Sequence, residues 1–354
     1  MDDMSGGVWR RRRWRGQPAL AVEYNQLQRP PSISNILASC TTKVTGSLYD
    51  KDIYTEVSIE KMTPEELRSR LARDGFVRIP SVLSPDELEN LRNACKRSAD
   101  MARRGEWPFV RTLPKQFPPW DSDVSQGIWG VQHLLHPRLP DRDTFAASYF
   151  APYIIDAVTA LLECKPDDLV IELYNLLIRP ERDFALRWHR DDIPPDIPPG
   201  DEEARLKAPI LHTQWNLSLY DDQSLIVVPE SHLRATSEVE RSADPFEDNL
   251  PGQLAVKMNA GDVVFYNNNI LHRGVYAANF ERMTLHGSMG VGGADPARAR
   301  NVLQHGIGDW LDQCDFSNLS HLTGQEDLSQ MAEGFKRRLI SIGKNDAGYS
   351  QSDD

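Results

Sequence analysis

Two stretches near the start of the predicted domain carry the same helix-start signal. Residues 63–66 (Thr-Pro-Glu-Glu) and 84–87 (Ser-Pro-Asp-Glu) each combine an N-cap hydroxyl residue, Pro at N1 and Glu at N3, which is the pattern of a capping box. Apolar residues then recur at helical spacing, and Gly75 is placed to end the first helix. Residues 76–79 form a short apolar run that ends at Pro80. The pattern predicts a helix, a strand and a second helix.

Further along the chain, short runs of apolar or alternating residues indicate strands. An apolar helix is predicted around residues 150–162, whereas residues 105–145 show no period. The predicted strands cover residues 170–178, 215–220, 225–228, 263–266 and 283–289. Short strands joined by irregular loops after a helical start predict a mainly β protein with flanking helices, built as an antiparallel double-sheet barrel or jelly roll.

The same patterns divide the chain into three predicted parts. Residues 1–58 lack any sustained period and are expected to form a poorly ordered arm. Residues 59–335 carry the predicted elements and form one domain, and residues 336–354 are predicted to be a C-terminal tail. The loop at residues 193–209 holds five prolines and many charges. We expect it to be a mobile flap over the substrate entrance, because strands resume directly after it.

Composition excludes several classes of protein. The chain has 354 residues, of which 40 % are hydrophobic and 26 % charged, with a formal net charge of −12. This balance excludes collagen-like, coiled-coil and wholly disordered proteins. No apolar run approaches the roughly 20 residues that a membrane helix needs, so we expect no membrane span. The net acidity argues against general binding to nucleic acid. The exception is a cluster at residues 10–15, which is either a nuclear address, a nucleic-acid patch or a solvated arm.

The cysteines indicate an intracellular protein without a zinc finger. Four cysteines stand far apart, and none forms a C-x-x-C pair: Cys40, Cys95, Cys164 and Cys314. No apolar stretch typical of a secretory signal follows the first residues. We therefore expect reduced thiols and a cytoplasmic location.

One triplet, His189-Arg190-Asp191, is a candidate metal-binding motif. It follows an apolar strand through a short turn. Residues i and i+2 of an extended chain point to the same side, so one metal can accept both His189 and Asp191. The adjacent Asp192 could be mistaken for the ligand, but its side chain should face the opposite way. A third ligand must come from another strand, and His272 is the best candidate.

Two histidines and one carboxylate on one face of a metal form the facial triad of non-haem Fe(II) oxygenases. Such an iron needs an electron source to activate O2, and 2-oxoglutarate is the usual one. The keto-acid end of 2-oxoglutarate chelates the metal, whereas its far carboxylate needs a cationic partner. Arginine suits that role because its planar guanidinium binds a carboxylate through two hydrogen bonds and stays charged when buried.

Four motifs occur in an order that resembles the phytanoyl-CoA dioxygenase (PhyH) family of Fe(II)/2-oxoglutarate-dependent oxygenases. Residues 71–88 look like its N-terminal signature, and residues 189–191 supply the His-x-Asp triplet. Residues 224–232 are similar to its G-x-L-x-V-x-P-G-S-H turn, with Ser and Glu at two positions where Gly is common. Residues 261–282 match its distal His and Arg in order and spacing. The resemblance covers about residues 71–289.

The resemblance implies a double-stranded β-helix core of the jelly-roll, cupin-like type with flanking helices. It implies iron on His189, Asp191 and His272, and the far carboxylate of 2-oxoglutarate on Arg282. It also places Trp215 where some family members have a Trp beside the co-substrate.

Alternatives remain for several side chains. Arg273 is the competing partner for the co-substrate carboxylate, and Trp188 and Trp215 are either core aromatics or pocket residues. His232 matches a family position that is usually structural, so it is not counted as a ligand. A basic group either meets an anionic substrate or forms a solvated rim, and the rim is preferred: Arg179, Arg182 and Arg187.

Two functions follow from this sequence. The first is an oxygenase that hydroxylates or otherwise oxidises a small molecule while 2-oxoglutarate decarboxylates to succinate. Halogenation is disfavoured, because halogenating relatives have a small residue where Asp191 stands. The second is a non-catalytic jelly-roll protein that binds a ligand or partner, with a structural metal or none.

Overall fold

The computed structural model describes residues 62–293, 302–303 and 305–343. The predicted N-terminal arm, residues 1–58, lies outside the described residues, and so does the predicted tail beyond residue 343. The described part combines two antiparallel sheets with helices that pack mainly on the larger sheet.

Both predicted helix starts are present. The helices α1 (Pro64–Asp74) and α2 (Pro85–Arg103) each begin with a capping box, in which the N-cap hydroxyl accepts from the N3 backbone and the N3 glutamate accepts from the N-cap backbone. Gly75 ends α1 with φ 82°, a left-handed conformation that glycine adopts at little cost. Strand β1 (Phe76–Ile79) follows directly. Local signals therefore determine this part of the chain, as predicted.

The apolar helix predicted around residues 150–162 is present as α4 (Pro152–Leu162), and a further helix that was not predicted, α3 (Arg142–Tyr149), precedes it. Pro152 occupies the first turn of α4, where its missing N–H needs no partner, and its ring prevents α3 from continuing. No single helix within the described ranges is long and apolar enough to cross a membrane; α3 and α4 reach that length and composition only as a bent pair.

The larger sheet has seven strands. Besides β1 it contains β2 (Val110–Thr112), β3 (Ile128–Val131), β4 (Leu169–Ile178), β6 (His212–Ser218), β9 (Val263–Tyr266) and β11 (Met283–Val291). The order across the sheet is β1-β9-β6-β11-β4-β3-β2, and every pair is antiparallel. Strands β2 and β3 lie in the region that showed no period, because three or four residues are too few to display one.

The smaller sheet has four strands: β5 (Phe184–Ala185), β7 (Leu225–Val228), β8 (Leu254–Ala255) and β10 (Leu271–Tyr276). Their order across the sheet is β5-β10-β7-β8. Of these, β7 was predicted with its observed bounds. Two antiparallel sheets with flanking helices form the double-stranded β-helix that the resemblance implies, so the predicted fold class is confirmed.

Strand β6 has one polar and one apolar side. The ring of Trp215 lies 5.5 Å from that of Tyr149 on α3 and 5.9 Å from that of Phe265 on β9. Successive side chains of a strand point to opposite faces, so the alternate residues face the other way and line a cavity: His212, Gln214 and Asn216. This alternation begins at His212, which is why β6 starts three residues before the predicted strand.

The remaining helices are α5 (Pro199–Leu206), α6 (Glu238–Ser242), α7 (Leu319–Thr323) and α8 (Leu328–Ile342). Helix α8 runs across the predicted boundary between domain and tail at residue 336. Phe335 and Leu339 are fully buried, and Arg338 Nε donates to the Leu169 carbonyl at 2.7 Å. The folded domain therefore extends to Ile342, and the predicted start of the tail is corrected accordingly.

Candidate metal centre

The backbone brings His189 and His272 side by side. The two residues form an isolated antiparallel bridge, with an N–O distance of 3.0 Å in each direction. Asp191 follows on the same side of the chain, and its Oδ1 lies 3.5 Å from His189 Nε2 and 3.9 Å from His272 Nε2. All three ligand atoms lie within 4.8 Å of one another. The structure thus brings together the three residues that the sequence named as ligands.

Hydrogen bonds orient each of these side chains through the atom that does not face the metal position. In both His189 and His272, Nδ1 donates at 2.9 Å to the carbonyl oxygen two residues earlier in the chain. Because the proton is on Nδ1, the lone pair of each Nε2 is free to bind a metal. Gln214 Nε2 donates to Asp191 Oδ2 at 2.5 Å, which leaves Oδ1 directed at the two rings.

The protonation states suit a metal. Burial, and next the neighbouring His189, lowers the pKa of His272 to about 4. Burial acts to raise the pKa of Asp191, but His272 and His189 outweigh it, and the pKa lies below its ordinary value. At neutral pH, His272 is therefore a neutral imidazole and Asp191 a carboxylate. Two imidazole nitrogens and one carboxylate oxygen are a donor set that fits Fe(II).

The adjacent Asp192 has a different partner. Its Oδ2 lies 3.0 Å from His212 Nε2, and it does not belong to the cluster of ligand atoms. The amide of Asn268 lies 2.7 Å from the same ring nitrogen. This placement agrees with the choice of Asp191 over Asp192 as the ligand.

Arg282 directly precedes β11 and lines the cavity. Its side chain is almost buried, and Nε donates to Asp222 Oδ2 at 3.1 Å. The guanidinium carbon lies 4.3 Å from the centre of the Tyr276 ring. Nη1 is buried and has no hydrogen-bond partner among the described residues. A buried guanidinium with an unmet donor fits the carboxylate of a co-substrate.

The competing arginine lies elsewhere. Arg273 is fully buried and points to the opposite side of β10 from His272. Its Nη1 donates to the Phe246 carbonyl at 2.9 Å, and its guanidinium carbon lies 5.0 Å from the centre of the Trp188 ring. Arg273 and Trp188 are therefore parts of a packed cluster away from the cavity.

The placement of Trp215 corrects the expectation that it lies beside the co-substrate. Its side chain has no exposed surface and is enclosed by the core between β6 and the helices. Gly287 stands opposite it on β11, and a Cβ there would lie 2.3 Å from the indole ring. The expectation failed because Gln214 and Asn216 face the cavity, and the two-residue period of a strand directs Trp215, which lies between them, to the opposite face.

The turn that contains His232 is structural, as expected. His232 Nε2 lies 3.0 Å from the carbonyl oxygen of Ala72 and donates to it. A Cβ on Gly75 would lie 2.6 Å from His232 Nδ1, so this contact requires a glycine at the end of α1. Glu230 has φ 64° and so adopts the left-handed conformation at a position where the family commonly has Gly.

The metal ligands and Arg282 line one cavity of about 620 Å³ between the two sheets. Sequence reasoning missed most of its walls. Gln116 Oε1 accepts from the backbone N–H of Arg187 at 2.8 Å, which places the Gln116 amide beside the His189 ring, and Arg111 packs 4.9 Å over the Trp129 ring. The walls also include polar residues of the larger sheet: Asn175, Gln214, Asn216 and His286. The alternation of polar and apolar residues in β6 was the one sequence signal that could have found some of them.

Comparison with known proteins places the chain in a family. The model of the phytanoyl-CoA dioxygenase (PhyH) family matches residues 71–275, which is more than half of the chain. The chain belongs to the PhyH family. This confirms the resemblance seen in the sequence, and the protein is an Fe(II)- and 2-oxoglutarate-dependent oxygenase. None of the curated proteins matches the chain.

Several solved structures are similar to this PhyH-family chain. AviO1 from Streptomyces viridochromogenes is 21 % identical, with 67 % of this chain and 99 % of that chain covered and a TM-score of 0.48. EctD from S. alaskensis with 2-oxoglutarate and 5-hydroxyectoine is 17 % identical, with 70 % and 82 % covered and a TM-score of 0.48. HygX from Streptomyces hygroscopicus with nickel, 2-oxoglutarate and hygromycin B is 18 % identical, with 65 % and 87 % covered and a TM-score of 0.46.

Proposed function

We propose that this protein oxidises a C–H bond of a small molecule, with Fe(II) on His189, Asp191 and His272 and with 2-oxoglutarate on Arg282. The observation that carries the proposal is the convergence of two ring nitrogens and one carboxylate oxygen in a cavity that also holds a guanidinium nitrogen without a partner among the described residues. When bound, iron and 2-oxoglutarate supply the activation of O2, with decarboxylation of 2-oxoglutarate to succinate.

The residues of the chain bind iron and 2-oxoglutarate and orient the groups that hold them. The backbone carbonyls behind His189 and His272 hold both rings in the tautomer that can ligate, and Gln214 holds the Asp191 carboxylate. Arg282 is kept in place by Asp222 and by the Tyr276 ring. This arrangement holds the charged groups in position for iron and 2-oxoglutarate before either binds.

The size of the cavity supports a small-molecule substrate. A volume of about 620 Å³ lies within the range of pockets that enclose a metabolite-sized ligand. The carboxylate of Asp191 occupies the third ligand position, which supports oxygenation over halogenation. No observation within the described residues favours the non-catalytic alternative. From the sequence alone, we also propose that the protein acts in the cytoplasm.

Anaerobic titration tests the proposal. The purified protein should bind one Fe(II), develop a visible charge-transfer band when 2-oxoglutarate is added, and form succinate when O2 is admitted. The Asp191→Ala variant should lose the band and the succinate. Lys207, an exposed residue directly after α5, provides a control, because Lys207→Ala should keep both the band and the succinate. Absence of the band at saturating iron and 2-oxoglutarate in the unaltered protein would contradict the proposal.

A further inference from the structure

Three polar side chains stand side by side on the cavity wall. His286 of β11 pairs in register with Asn175 of β4 on one side and with Asn216 of β6 on the other. Directly opposite residues of antiparallel strands share a face, with their Cβ atoms about 5 Å apart. All three line the cavity. We call Asn175, His286 and Asn216 the polar row.

Hydrogen bonds to the protein use one side of each group. The backbone N–H of His133 donates to Asn175 Oδ1 at 3.0 Å. His286 Nδ1 lies 3.0 Å from Asn216 Oδ1 and donates to it. Each amide oxygen therefore accepts one hydrogen bond from the protein, and the proton of His286 is on Nδ1. What remains toward the cavity is the amino group of each asparagine and the Nε2 lone pair of the histidine.

The described residues offer no partner to these three nitrogens. Burial, and next the positive charge of Arg111, lowers the pKa of His286 to about 3, so its ring is neutral at physiological pH. A neutral ring protonated on Nδ1 has only an acceptor at Nε2. The polar row thus presents a donor, an acceptor and a donor in sequence.

This order of groups selects the chemistry of a ligand. A carboxylate cannot donate to His286 Nε2, so neither end of 2-oxoglutarate satisfies the row. An ammonium group cannot accept from Asn175 or Asn216, and a hydrocarbon leaves all three nitrogens unpaired. A hydroxyl group can donate to Nε2, and oxygen atoms on either side of it can accept from the two amides.

We propose that the polar row binds the primary substrate, and that this substrate is a neutral, polyhydroxylated small molecule whose hydroxyl donates to His286 between oxygens that accept from Asn175 and Asn216. The inference rests on the proposed function and adds the class of substrate. The row is close to the metal ligands, because Asn216 is two residues from Gln214 on the same face of β6, a spacing of about 7 Å, and Gln214 holds Asp191.

Saturation-transfer NMR on the protein loaded with Zn(II) and 2-oxoglutarate tests this inference. The probes are myo-inositol and methyl glucoside as polyols, hexanoate as an anionic hydrocarbon chain, and tetramethylammonium as a cation. We expect saturation transfer to the polyols only. Transfer to hexanoate or tetramethylammonium but not to the polyols would overturn the inference.

Two variants at opposite ends of the row make the test specific. Asn175→Leu and Asn216→Leu keep the branched side-chain shape and its number of heavy atoms and remove the donor, so each should weaken polyol binding at least tenfold. The affinity for 2-oxoglutarate, measured by anaerobic titration, should change less than twofold. The exposed Asn93→Leu on α2 is the matched control. Thermal unfolding measures whether each variant is folded. If a leucine variant does not fold, the smaller change Asn216→Ser takes its place in the binding measurements.

The possible failures are distinguishable. If the unaltered protein binds 2-oxoglutarate but no polyol, the substrate class is wrong and the proposed function stands. If either variant raises the dissociation constant for 2-oxoglutarate tenfold, the row belongs to the co-substrate and the inference fails. If the unaltered metal-loaded protein binds no 2-oxoglutarate, the proposed function itself fails.

Discussion

Arg190 and Glu202 form a buried ion pair that joins the metal-ligand loop to the Pro-rich segment at residues 193–209. The distance from Arg190 Nε to Glu202 Oε1 is 2.9 Å, and the two side chains are 3 % and 2 % exposed. Arg190 also donates to the carbonyls of Ser231 and Arg234 at 3.0 and 3.1 Å. Because Arg190 stands between His189 and Asp191, the positions of both ligands depend on this network.

The ion pair changes the expected behaviour of the segment. Glu202 lies on α5 in the middle of the segment, and its Oε2 also accepts from Arg241 Nη2 at 2.6 Å. Residues on both sides of α5, among them Ile193 and Pro209, line the cavity. The segment therefore covers the cavity as a docked element, which argues against the free flap expected from its prolines and charges. That it closes over the substrate stays a prediction.

Replacing Glu202 by Gln should release this segment. The change leaves two arginines without their shared counter-charge, and breaking a buried pair in this way costs about 3–5 kcal/mol. We expect a lower free energy of unfolding, faster protease cleavage within residues 193–209, and weaker iron binding. The matched control is Glu203→Gln on the same helix, whose pair with Lys207 is exposed and contributes less than about 1 kcal/mol. Equal cleavage rates in the two variants would show that the ion pair does not hold the segment.

Removal of a ring ligand should abolish iron binding. In His272→Ala and His189→Ala, one of the two Nε2 donors is lost. Loss of a residue that only hydrogen-bonds to a metal ligand already lowers metal affinity about 10- to 100-fold. We therefore expect loss of the ligand itself to lower the iron affinity more than about a hundredfold. Anaerobic Fe(II) titration measures the effect, with the exposed His321→Ala as control. Full iron affinity in His272→Ala would show that the third ligand is another residue.

Arg282 should determine the affinity for 2-oxoglutarate. Lysine keeps the charge but loses the two-point contact, so Arg282→Lys should raise the 2-oxoglutarate requirement more than it alters metal binding. Arg282→Ala removes the partner of a buried carboxylate, at a cost of roughly 3–5 kcal/mol, or more than a hundredfold in affinity. Titration of the anaerobic Fe(II) protein, followed by its charge-transfer band, measures both. A large loss in Arg273→Ala with none in Arg282→Ala would transfer the role to Arg273.

Trp215 should contribute to stability and not to co-substrate binding. Its ring fills the space between Tyr149, Phe265 and Gly287. Trp215→Phe leaves part of that space empty, and we expect a loss of about 1–3 kcal/mol in the free energy of unfolding. The affinity of the folded variant for 2-oxoglutarate should not change. A selective loss of that affinity, with unchanged stability, would restore Trp215 to the co-substrate site.

The buried His133 should make stability depend on pH. Burial, and next the charges of His136 and Arg111, lowers its pKa to about 3 in the folded protein, against about 6.5 in the unfolded chain. Between these two pKa values the unfolded state therefore binds more protons than the folded state. The contribution of the neutral His133 to the free energy of unfolding is fully present above about pH 6.5 and falls by about 1.4 kcal/mol for each pH unit below it. Urea unfolding between pH 4 and 7 measures how the free energy of unfolding changes with pH. In His133→Asn this change should be smaller by the contribution of one titrating group. Asparagine tolerates the positive φ of 63° at this position, and His321→Asn is the exposed control.

Much of the fold was predictable from local signals. The capping boxes before α1 and α2 and the left-handed Gly75 act within a few residues, so the sequence alone places these elements. The strands β4, β9 and β11 showed the two-residue period or the apolar run that burial imposes. The triplet His189-Arg190-Asp191 gave two ligands, because the i and i+2 spacing by itself puts two side chains on one side of the chain.

Long-range register decided the rest. The alternation of residues in β6 indicates that Gln214 and Asn216 share one face of the strand and that Trp215 lies on the other. Only packing between the two sheets and the helices determines which face lines the cavity. The polar row exists because β4, β11 and β6 pair in one register, so that Asn175 and Asn216 flank His286.

The ion pair between Arg190 and Glu202 and the docking of α8 across residue 336 have the same origin. Each joins segments that are distant in the chain, and no local sequence pattern in either segment predicts that they are in contact. The sequence by itself determined the local elements and the order of the metal-binding motifs. The tertiary structure decided which side chains face the cavity and which hold it in place, because burial and pairing depend on neighbours distant in the chain.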